Sequence, residues 1–411
     1  MINRNIVTII KDTIQHFPIT LLTGPRQVGK STLLNHWLLE LGYSYVSLDD
    51  TFELSIALSD PRTFLELHPS PLIIDEMQKA KELFPELERI VNETRIKKGN
   101  KEANGMYILS GSQRSKLLED SKESLSGRVG IIDMSNLSLN EIFNRESRIF
   151  STDIKEAYQR SNLNLNENDI FKYIVRGFFP ALYDDQGINL SIFYSSYITT
   201  YLEKDLKEFI KIEDEVKFIN FLKILASNTG EELIYDNYSK QIGISTNTVK
   251  SWISILVKTN IVYLVYPYNE ESIVKRIVKR PKMYFFDTGL ACYLCGIDSA
   301  LTFQRSFLKG RFFETFTMNE IRKSFLNNGI LQTLYYYRDT NQNEVDLVLI
   351  RNGNMSLIEI KAGQEFNASS TKAFKQLNNT KLNKEKNAIV CSASKPSILN
   401  DGTIVIPVTS I

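Results

Sequence analysis

Two glycines, a lysine and a serine near the start of the chain have the types and spacing of a phosphate-binding loop. Gly24, Gly29, Lys30 and Ser31 follow the pattern G-x-x-x-x-G-K-S, between an apolar run at residues 19–22 and the helix-like TLLNHWLLEL. Glycines let backbone N–H groups point at phosphate oxygens, the lysine reaches the β and γ phosphates, and the serine ligates magnesium. We therefore expect ATP and Mg²⁺ to bind the loop formed by Gly24, Pro25, Arg26, Gln27, Val28, Gly29, Lys30, Ser31 and Thr32.

An acidic pair follows a later apolar run, in PLIIDEMQ. Residues 72–74 are continuously apolar, as in a parallel strand that is buried on both faces. Asp75 and Glu76 then fall at its carboxyl end, where ligands bind in open α/β sheets. We expect Asp75 to hold magnesium and Glu76 to orient and activate the attacking water. Alone, such a pair is typical of a surface turn, and it indicates an ATP site only together with the glycine-rich loop.

Further polar positions belong to the same predicted sheet. Ser110, Ser112 and Gln113 end a strand candidate at residues 105–113, where a polar group such as Ser112 is placed to sense the γ phosphate. Arg128 stands directly before the last strand candidate of this part of the chain, after a predicted helix. One interpretation of Arg128 is a solvated arginine that interacts favourably with the carboxyl end of that helix.

A second set of charged residues lies in EVDLVLIRNGNMSLIEIKAG, close to the end of the chain. Its apolar alternation predicts a hairpin with Asp346 on one strand and Glu359 and Lys361 on the other. Glu359 and Lys361 point to the same side, because a strand repeats every two residues. The two acids can converge on one divalent cation, helped by Glu314 from an upstream helix and by the backbone carbonyl of Ile360.

The chemistry of this second set is that of a phosphodiester-cleaving site. A divalent cation lowers the pKa of a bound water and polarises the phosphodiester, while Lys361 stabilises the hydroxide or the developing negative charge. Mg²⁺ suits a site built only of oxygen ligands. The alternative is a surface ribbon with ordinary exposed charges, but an inward Asp346 without a metal or a partner would be costly. Arg338, just ahead, either binds the scissile phosphate or pairs with Glu344.

Two sheets are needed to position these residues. Strand candidates for the first site lie at residues 19–22, 43–50, 72–74, 105–113 and 128–138. For the second site, residues 309–325 predict a helix with an apolar stripe, and Glu314 lies near its start. The elements predicted to follow are strands at 335–339, 344–350 and 356–362, a helix at 369–379, and strands at 388–392 and 403–408.

The middle of the chain is predicted to be helical. Residues 169–183 and 189–209 have the pattern of helices that form a small lid. Farther on, YSKQI, the turn at 243–245 and TNTVKSWISILVKT predict a helix-turn-helix, and the strand IVYLVYPY would begin a wing. The apolar face of the second helix consists of Val249, Ile253, Leu256 and Val257.

This predicted winged helix has two interpretations. In a DNA-binding domain, the second helix enters the major groove with Thr246, Asn247, Lys250 and Ser251 nearest the bases. The basic cluster Lys275, Arg276, Lys279, Arg280 and Lys282 would then contact phosphates. In the alternative, the domain docks a protein or acts as a spacer within the chain, because its second helix carries few positive charges.

Composition restricts the class of protein. The 411 residues exceed one ordinary core, and 43% hydrophobic with 24% charged residues describe a globular chain. A net charge of +1 means that any nucleic-acid contact depends on a local patch. Three cysteines give no disulfide framework, and with distant histidines they predict no zinc site. We see no signal peptide and no membrane-spanning run, so we expect a cytoplasmic protein without a membrane partner.

Together the motifs resemble a known family. GPRQVGKST, LIIDEMQKA, ILSGSQ and LSGRVG are similar to bacterial and archaeal AAA-type ATPases that carry a C-terminal domain of unknown function. The resemblance continues through RGFFPALY, KRPKMYFFDTGLACYLCGI and RFFETFTMNEI. It implies that Arg128 reaches a neighbouring subunit's nucleotide as an arginine finger, which would require an oligomer. It also implies that Pro180 packs near the nucleotide, although a plain turn between helices would explain RGFFP equally well.

The C-terminal hairpin resembles a second group of proteins. Its order of helix, three strands, helix and strand, with a glutamate, VD and ExK, is similar to the resolvase-like members of the PD-(D/E)xK nuclease superfamily. That resemblance implies a metal site with Asp346 and Glu359 as ligands and Glu314, Asp346, Glu359 and Lys361 as catalytic residues. Such domains also occur as inactive binding modules, so catalysis is a separate question.

The sequence thus predicts a multidomain α/β protein. Residues 1–150 would form an AAA-type P-loop ATPase core, 151–212 a helical lid, 213–272 a winged helix-turn-helix, and 273–411 a PD-(D/E)xK-like domain. We expect ATP hydrolysis to be coupled to a metal-dependent, nuclease-like domain directed at DNA. The alternative is a nucleotide-switched signalling protein that holds ATP or ADP tightly and whose C-terminal domain binds without catalysis.

Overall fold

The chain folds into two compact units. The computed structural model describes residues 2–37, 41–112, 117, 125–161, 163, 165–185, 187–201, 215–270, 280–364, 370–377 and 382–411. One unit comprises Met1–Ser147, Phe179–Ala181 and Leu326–Ile330, and the other Arg148–Phe178, Leu182–Phe325 and Leu331–Ile411. Most of the predicted helix at 117–127, the lid residues 202–212, Gln113 and the basic residues 275–279 lie outside the described ranges.

The first unit is built on a five-stranded parallel sheet in the order β2-β3-β4-β1-β5. Its strands are β1 (Ile19–Thr23), β2 (Ser44–Ser47), β3 (Leu72–Asp75), β4 (Tyr107–Gly111) and β5 (Val129–Asp133). The central strand β1 is flanked on both sides, with Ile19 opposite Tyr107 and Val129. The five predicted strands are confirmed, but those predicted at 43–50, 105–113 and 128–138 end earlier than expected. The described residues beyond these strand ends include buried apolar side chains such as Leu48, Met134 and Leu137, so burial continues where the strand pairing has already ended.

Helices cover this sheet, and three of them begin at a side chain that caps them. They are α1 (Val7–His16), α2 (Lys30–Trp37), α3 (Thr51–Ser59), α4 (Pro61–Leu67), α5 (Leu83–Lys98) and α6 (Leu139–Ile142). Asp50 caps α3 by accepting the N–H of Phe52 at 2.8 Å, and α6 starts with a reciprocal capping box between Ser138 and Glu141. The core between sheet and helices is apolar and fully buried, with Leu21, Ile74, Phe84, Leu87 and Leu109 at 0–1% exposure.

The chain beyond Ser147 first forms helices. They are α7 (Ile154–Arg160), α8 (Glu167–Arg176), α9 (Ala181–Asp184), α10 (Leu190–Tyr201), α11 (Glu215–Ser227), α12 (Tyr235–Ile242), α13 (Thr246–Lys258), α14 (Thr288–Leu294), α15 (Ala300–Arg305) and α16 (Lys309–Leu326). Helices α12 and α13 are joined by a short turn in which Gly243 is left-handed and Ser245 caps α13. Val249, Ile253 and Leu256 are buried as predicted, whereas Asn247, Lys250 and Ser251 are exposed.

Asp287 joins three parts of the second unit. Its carboxylate accepts the N–H of Phe178 at 2.8 Å and of Leu290 at 2.9 Å, and the hydroxyl of Tyr194 at 3.1 Å. The backbone at Gly177 and Gly289 approaches so closely that a Cβ on Gly289 would lie 2.6 Å from the Cα of Gly177. Only glycine fits there, which explains why RGFF and FDTGL carry glycine at these points.

The second unit also contains a mixed nine-stranded sheet in the order β13-β14-β12-β10-β9-β8-β6-β7, with β11 paired to β10. Its strands are β6 (Val262–Pro267), β7 (Lys282–Phe285), β8 (Leu334–Arg338), β9 (Glu344–Arg351), β10 (Asn354–Lys361), β11 (Asn383–Lys384), β12 (Ala388–Cys391), β13 (Ser397–Ile398) and β14 (Ile404–Pro407). The predicted hairpin is confirmed as β9 and β10. Its two turn residues, Asn352 and Gly353, have positive φ values, as a tight hairpin turn requires.

One basic residue that was predicted to act at the surface has a different position in the structure. Lys282, predicted to contact phosphates from a surface strand, is instead buried, with 2% of its surface exposed. That prediction was wrong because the strand β7 is covered on its Lys282 side by acidic residues from other elements.

Among the described helices, none is long and apolar enough to cross a membrane.

Candidate functional sites

The glycine-rich loop follows β1 directly and leads into α2. Gly24 has a φ of +151°, and a Cβ there would lie 2.2 Å from the carbonyl oxygen of Met134. The loop can therefore pass the backbone of Met134 only with glycine at this position. Lys30, the first residue of α2, is buried and donates to the carbonyls of Gly24 at 2.9 Å and Pro25 at 2.7 Å. These bonds hold the ammonium against the loop, beside the amino end of a helix, where phosphate oxygens bind favourably.

Asp75 lies at the carboxyl end of β3 and is only 3% exposed. It accepts hydrogen bonds from the hydroxyl of Tyr45 at 2.7 Å and from the hydroxyl of Ser110. Burial, together with the hydrogen bond to Asp75, raises the pKa of Tyr45, so its hydroxyl stays protonated and donates. Sequence reasoning noticed Ser110 only as a strand end and missed Tyr45, although both follow from the parallel order β2-β3-β4.

Glu76 and Ser112 extend the same edge of the sheet. Glu76 has a left-handed backbone with φ of +56°, and its carboxylate accepts a hydrogen bond from the amide of Gln78. The hydroxyl of Ser112 is buried and has no hydrogen-bond partner within the described part of the chain. A buried polar atom of this kind needs a partner, so the edge suits a polar ligand such as a nucleotide with its magnesium ion. Lys30, Ser31 and Asp75 supply the residue types that such a ligand requires.

Two predicted residues lie at defined places in the first unit. Pro180 packs beside the loop, because a Cβ on Gly29 would lie 3.7 Å from its Cγ. The guanidinium of Arg128 is bonded within its own chain, to Asn92 at 2.9 Å and to Glu88 at 3.1 Å, both on α5. The proposed role of Arg128 in a neighbouring subunit would require these bonds to be exchanged.

Arg4 contacts the glycine-rich loop, and sequence reasoning missed it. Its guanidinium, on a residue that is 8% exposed, donates to the carbonyl of Val28 in the loop and to that of Ser135, each at 2.7 Å. It also pairs with the buried carboxylate of Glu141 at 3.0 Å. The signal was weak, since Arg4 precedes α1 by three positions and resembles an ordinary basic residue in a polar start.

The second site lies where the hairpin opens. The ladder between β9 and β10 pairs Arg351 with Asn354 and continues to Leu347 with Ile358, where it ends. Beyond that pair, the N–H of Ile360 donates to the carboxylate of Asp346 at 2.8 Å instead. Because β10 continues alongside β12, the two strands separate, and Asp346 and Glu359 lie in the opening.

Lys361 and Glu359 are in contact as predicted for residues two apart on a strand. The ammonium of Lys361 lies 2.6 Å from Oε1 of Glu359, and the side chain of Lys361 is 41% exposed. The second oxygen of Glu359, Oε2, is buried and has no hydrogen-bond partner among the described residues. A carboxylate oxygen in that position needs a proton or a cation.

A buried lysine joins the remaining acids. The ammonium of Lys282 lies 2.9 Å from Glu314, 2.5 Å from Glu344 and 3.8 Å from Asp346. Tyr284 donates its hydroxyl to Glu314 at 2.6 Å. Glu314 therefore joins the cluster as predicted, whereas Lys282 and Tyr284 were not foreseen as members. Arg338 follows the pairing interpretation, since it bonds Gln342 at 3.0 Å and lies 3.6 Å from Glu344.

The cluster carries an excess of negative charge. With every group in its ionised form, four carboxylates (Glu314, Glu344, Asp346, Glu359) face two ammonium groups (Lys282, Lys361), which leaves two negative charges, one fewer if the half-buried Arg338 is counted. Burial, then the charge of Glu314, raises the pKa of Asp346. Burial, then the charge of Asp346, raises the pKa of Glu359. The residues therefore fit one divalent cation, which the Oε2 atom of Glu359 and the carboxylate of Asp346 would hold. No group of three potential ligands converges within the described residues, so the remaining ligands would be the Ile360 carbonyl and water.

The fold and the first site define a class of protein: the first unit is a P-loop ATPase domain of the AAA type. Residues 16–143 match the family described as an AAA domain. Residues 167–301 match a domain of unknown function (DUF8612), and residues 309–411 match another (DUF4143). The chain is thus an AAA-type ATPase domain followed by two domains whose families have no assigned function.

Similar proteins are known from bacteria and archaea. An uncharacterized protein of Mycobacterium tuberculosis is 25% identical over 357 residues, which cover 86% of this chain and 72% of that protein. An uncharacterized protein of Methanocaldococcus jannaschii is 24% identical over 297 residues, covering 65% of this chain and 60% of that protein. Among solved structures, the Walker-type ATPase of Pyrococcus abyssi has a TM-score of 0.45 at 16% identity, covering 70% of this chain and 94% of that one. A RuvB mutant of Thermotoga maritima has a TM-score of 0.30 at 13% identity, covering 64% of this chain and 90% of that one.

Replacing Arg4 with Met should weaken nucleotide binding about tenfold, which corresponds to about 1.4 kcal/mol. The Val28 carbonyl loses its donor, and the buried Glu141 carboxylate is left without its cation, which also costs about 3–5 kcal/mol of unfolding free energy. Titration with a fluorescent ATP analogue and denaturant unfolding measure the two effects. Arg62→Met, which removes an exposed arginine paired with Glu66, is the control. Equal affinities for both variants would contradict the role given to Arg4.

The raised pKa values of Asp346 and Glu359 predict how stability depends on pH when no metal is added. A carboxyl whose folded pKa is raised binds more protons in the folded than in the unfolded state, so unfolding free energy falls as pH rises. The fall should occur from about pH 5 to about pH 8, above the ordinary pKa of carboxyls. The double variant Asp346→Asn/Glu359→Gln should lose this slope, and Mg²⁺ should reduce it in the unmodified chain.

Denaturant unfolding at several pH values measures the slope. Asp298→Asn/Glu385→Gln, which changes two exposed acids of the same unit, is the matched control and should keep it. If the Asp346→Asn/Glu359→Gln variant keeps the slope as well, the assignment of the excess protons to this pair is wrong.

Proposed function

We propose that this protein hydrolyses ATP and uses its nucleotide state to control a metal-dependent, nuclease-like site that acts on DNA. The observation that supports the second half best is the opening between β9 and β10. There a buried carboxylate oxygen of Glu359 that has no hydrogen-bond partner among the described residues lies together with Asp346 and a half-exposed Lys361. Carboxylates that can hold a divalent cation beside a lysine that can stabilise negative charge are the groups that metal-dependent hydrolysis of phosphodiesters uses.

At the ATP site, each proposed step belongs to a named side chain. Backbone N–H groups of the loop and the Lys30 ammonium bind the β and γ phosphates, and Ser31 and Asp75 hold the magnesium ion, which neutralises phosphate charge when bound. Glu76 orients a water and accepts its proton as the water oxygen bonds to the γ phosphorus. The bond from that phosphorus to the bridging oxygen breaks, and ADP leaves with the electron pair. Ser112 is placed to contact the γ phosphate.

At the second site, the acids and the lysine would divide the work. A divalent cation supplies an acidified water and polarises the phosphodiester when it is bound. Asp346 and Glu359 bind and orient, and Lys361, exposed enough to meet a substrate, stabilises the negative charge that develops on the phosphorus oxygens. The water oxygen bonds to phosphorus, its proton passes to solvent, and the leaving sugar oxygen is protonated from solvent.

DNA as the substrate is proposed from the middle of the chain. The exposed side chains Asn247, Lys250 and Ser251 lie on the outer face of α13, where a helix-turn-helix would meet base edges. Thr246, the fourth residue of that group, is half-buried and donates to Asp236 at 2.9 Å, which reduces its availability to a base. An oligomer that brings Arg128 to a neighbouring ATP site is part of the same proposal.

A second candidate function has support from the ammonium groups. Both Lys282 and Lys361 already contact carboxylates of the cluster, so the site is partly neutralised without a metal. The protein would then be a nucleotide-switched regulator whose C-terminal domain binds DNA or a protein without cleaving it. Tight ADP binding with negligible ATP turnover would favour this candidate.

One variant separates these candidates. We expect Lys361→Ala to hydrolyse ATP at the unmodified rate and to lose DNA cleavage by at least about 100-fold, the range in which one charge-stabilising group acts. The measurement is cleavage of supercoiled, linear and branched DNA with Mg²⁺ or Mn²⁺, with and without ATP, beside an ATPase assay. Lys386→Ala, which removes an exposed lysine of the same unit, should leave both activities unchanged.

The outcomes lead to different conclusions. Cleavage that survives in Lys361→Ala would refute the second-site assignment. No cleavage by the unmodified chain, with ATP still bound, would favour the regulator. An effect of ATP on cleavage would establish that the two sites communicate.

A further inference from the structure

The burial of Lys282 inside an acidic cluster is the feature that the proposed chemistry leaves unexplained. Its side chain is 3% exposed and contacts the carboxylates of Glu314 and Glu344 directly. A buried ammonium is expensive to remove from water, and a position this deep is tolerated only with charged partners. A side chain buried to this extent does not reach DNA phosphates, so a DNA contact does not explain Lys282.

The partners of Lys282 come from separate parts of the fold. Glu314 belongs to α16, Glu344 and Asp346 to β9, and Lys282 itself to β7. Burial alone lowers the pKa of Lys282, but the carboxylates, Glu314 first, outweigh this effect and raise its pKa, so the group carries its charge. A charged amine with carboxylate oxygens from two other elements, α16 and β9, around it has the surroundings of a bound metal ion.

We propose that Lys282 is a built-in cation that occupies one of two cation positions in the carboxylate cluster. The other position, at Asp346 and Glu359, is the one assigned to a divalent ion under the proposed function. Two-metal phosphodiesterases place their ions about 3.5–4 Å apart and bridge them with a shared carboxylate. Asp346 is shared here in the same way, since it lies 3.8 Å from the Lys282 ammonium and at the hairpin opening.

The surroundings keep Lys282 in this position. Its backbone forms a bridge with Glu232, its ammonium lies 5.6 Å from the centre of the Tyr336 ring, and Tyr284 holds Glu314 in reach. A second metal ion would need the oxygens of Glu314, together with those of Asp346 or of residue 344, that the ammonium now contacts. The unmodified cluster should therefore accept one fewer ion than its carboxylates could bind.

The test is to count Mn²⁺ ions by calorimetry on the nucleotide-free full-length chain. Lys282→Met should bind one ion more per chain than the unmodified protein, because the vacated oxygens become ligands. Lys323→Met is the matched control, since Lys323 is equally buried in this unit and pairs with Glu320 at 2.9 Å. That control should bind the same number as the unmodified protein.

A second variant guards against loss of folding in Lys282→Met. Lys282→Met/Glu344→Gln removes one charge of each sign, so the cluster keeps its net charge, and it should bind one ion more than Glu344→Gln alone. Should neither variant bind an additional ion relative to its reference, the inference is overturned. The inference rests on the proposed function and deepens it. Its test, however, depends only on the difference in the number of bound Mn²⁺ ions between each variant and its reference. A chain that binds no ion and gains one in Lys282→Met would refute the metal site of the proposed function and support the built-in cation.

Discussion

Negative charge buried at the open end of a β-hairpin is the constraint on which the second unit depends. Four carboxylates come together there from α16, β9 and β10, and two lysines cover only half of their charge. The two ammonium groups contact acids that would otherwise repel one another. Burial, and then the charge of a neighbouring carboxylate, raises the pKa values of Asp346 and Glu359. A divalent cation at Asp346 and Glu359, as proposed, would offset this excess.

The two sites place polar groups at strand ends by different means. In the first unit, parallel strands end at the same edge, so Asp75, Ser112 and the loop after β1 meet at the carboxyl ends without any break in pairing. In the second unit, the antiparallel ladder has to stop, because its strands separate beyond Leu347 and Ile358. The N–H of Ile360 then bonds a side chain, which fixes Asp346 in the opening. The position of the polar groups in both units thus depends on where backbone pairing ends.

Much of this arrangement can be predicted from the sequence. The loop Gly24 to Lys30 and the pair Asp75–Glu76 are local patterns, in which each residue's task follows from its neighbours. The hairpin also follows from local alternation, as does the pairing of Glu359 with Lys361, since residues two apart on a strand share a face. Glu314 was assigned through the resemblance to the PD-(D/E)xK superfamily, in which a glutamate from the helix before the three strands belongs to the site.

The residues that were not predicted make contacts with residues far away in the sequence. Arg4 lies 24 positions before the Val28 carbonyl it bonds and 137 before Glu141, and no local pattern distinguishes it from a surface arginine. Lys282 belongs to a run of basic residues, which usually indicates a solvated face, yet the strand turns it inward toward acids 32 or more positions away. Tyr45 becomes a partner of Asp75 only through the order of strands in the sheet. Such contacts are determined by the order of strands and helices in the folded chain, which the periodicity of the sequence does not reveal.

The most direct test of the account is to locate Mn²⁺ in crystals of the full-length chain by anomalous scattering. The account predicts an ion in the hairpin opening, bound by Asp346 and Glu359 at about 2.0–2.2 Å, the range for small divalent ions with oxygen ligands. It also predicts that the ammonium of Lys282 remains in contact with Glu314 and Glu344. An opening without an ion, or an ion that displaces Lys282 and leaves Glu359 unbound, would contradict it.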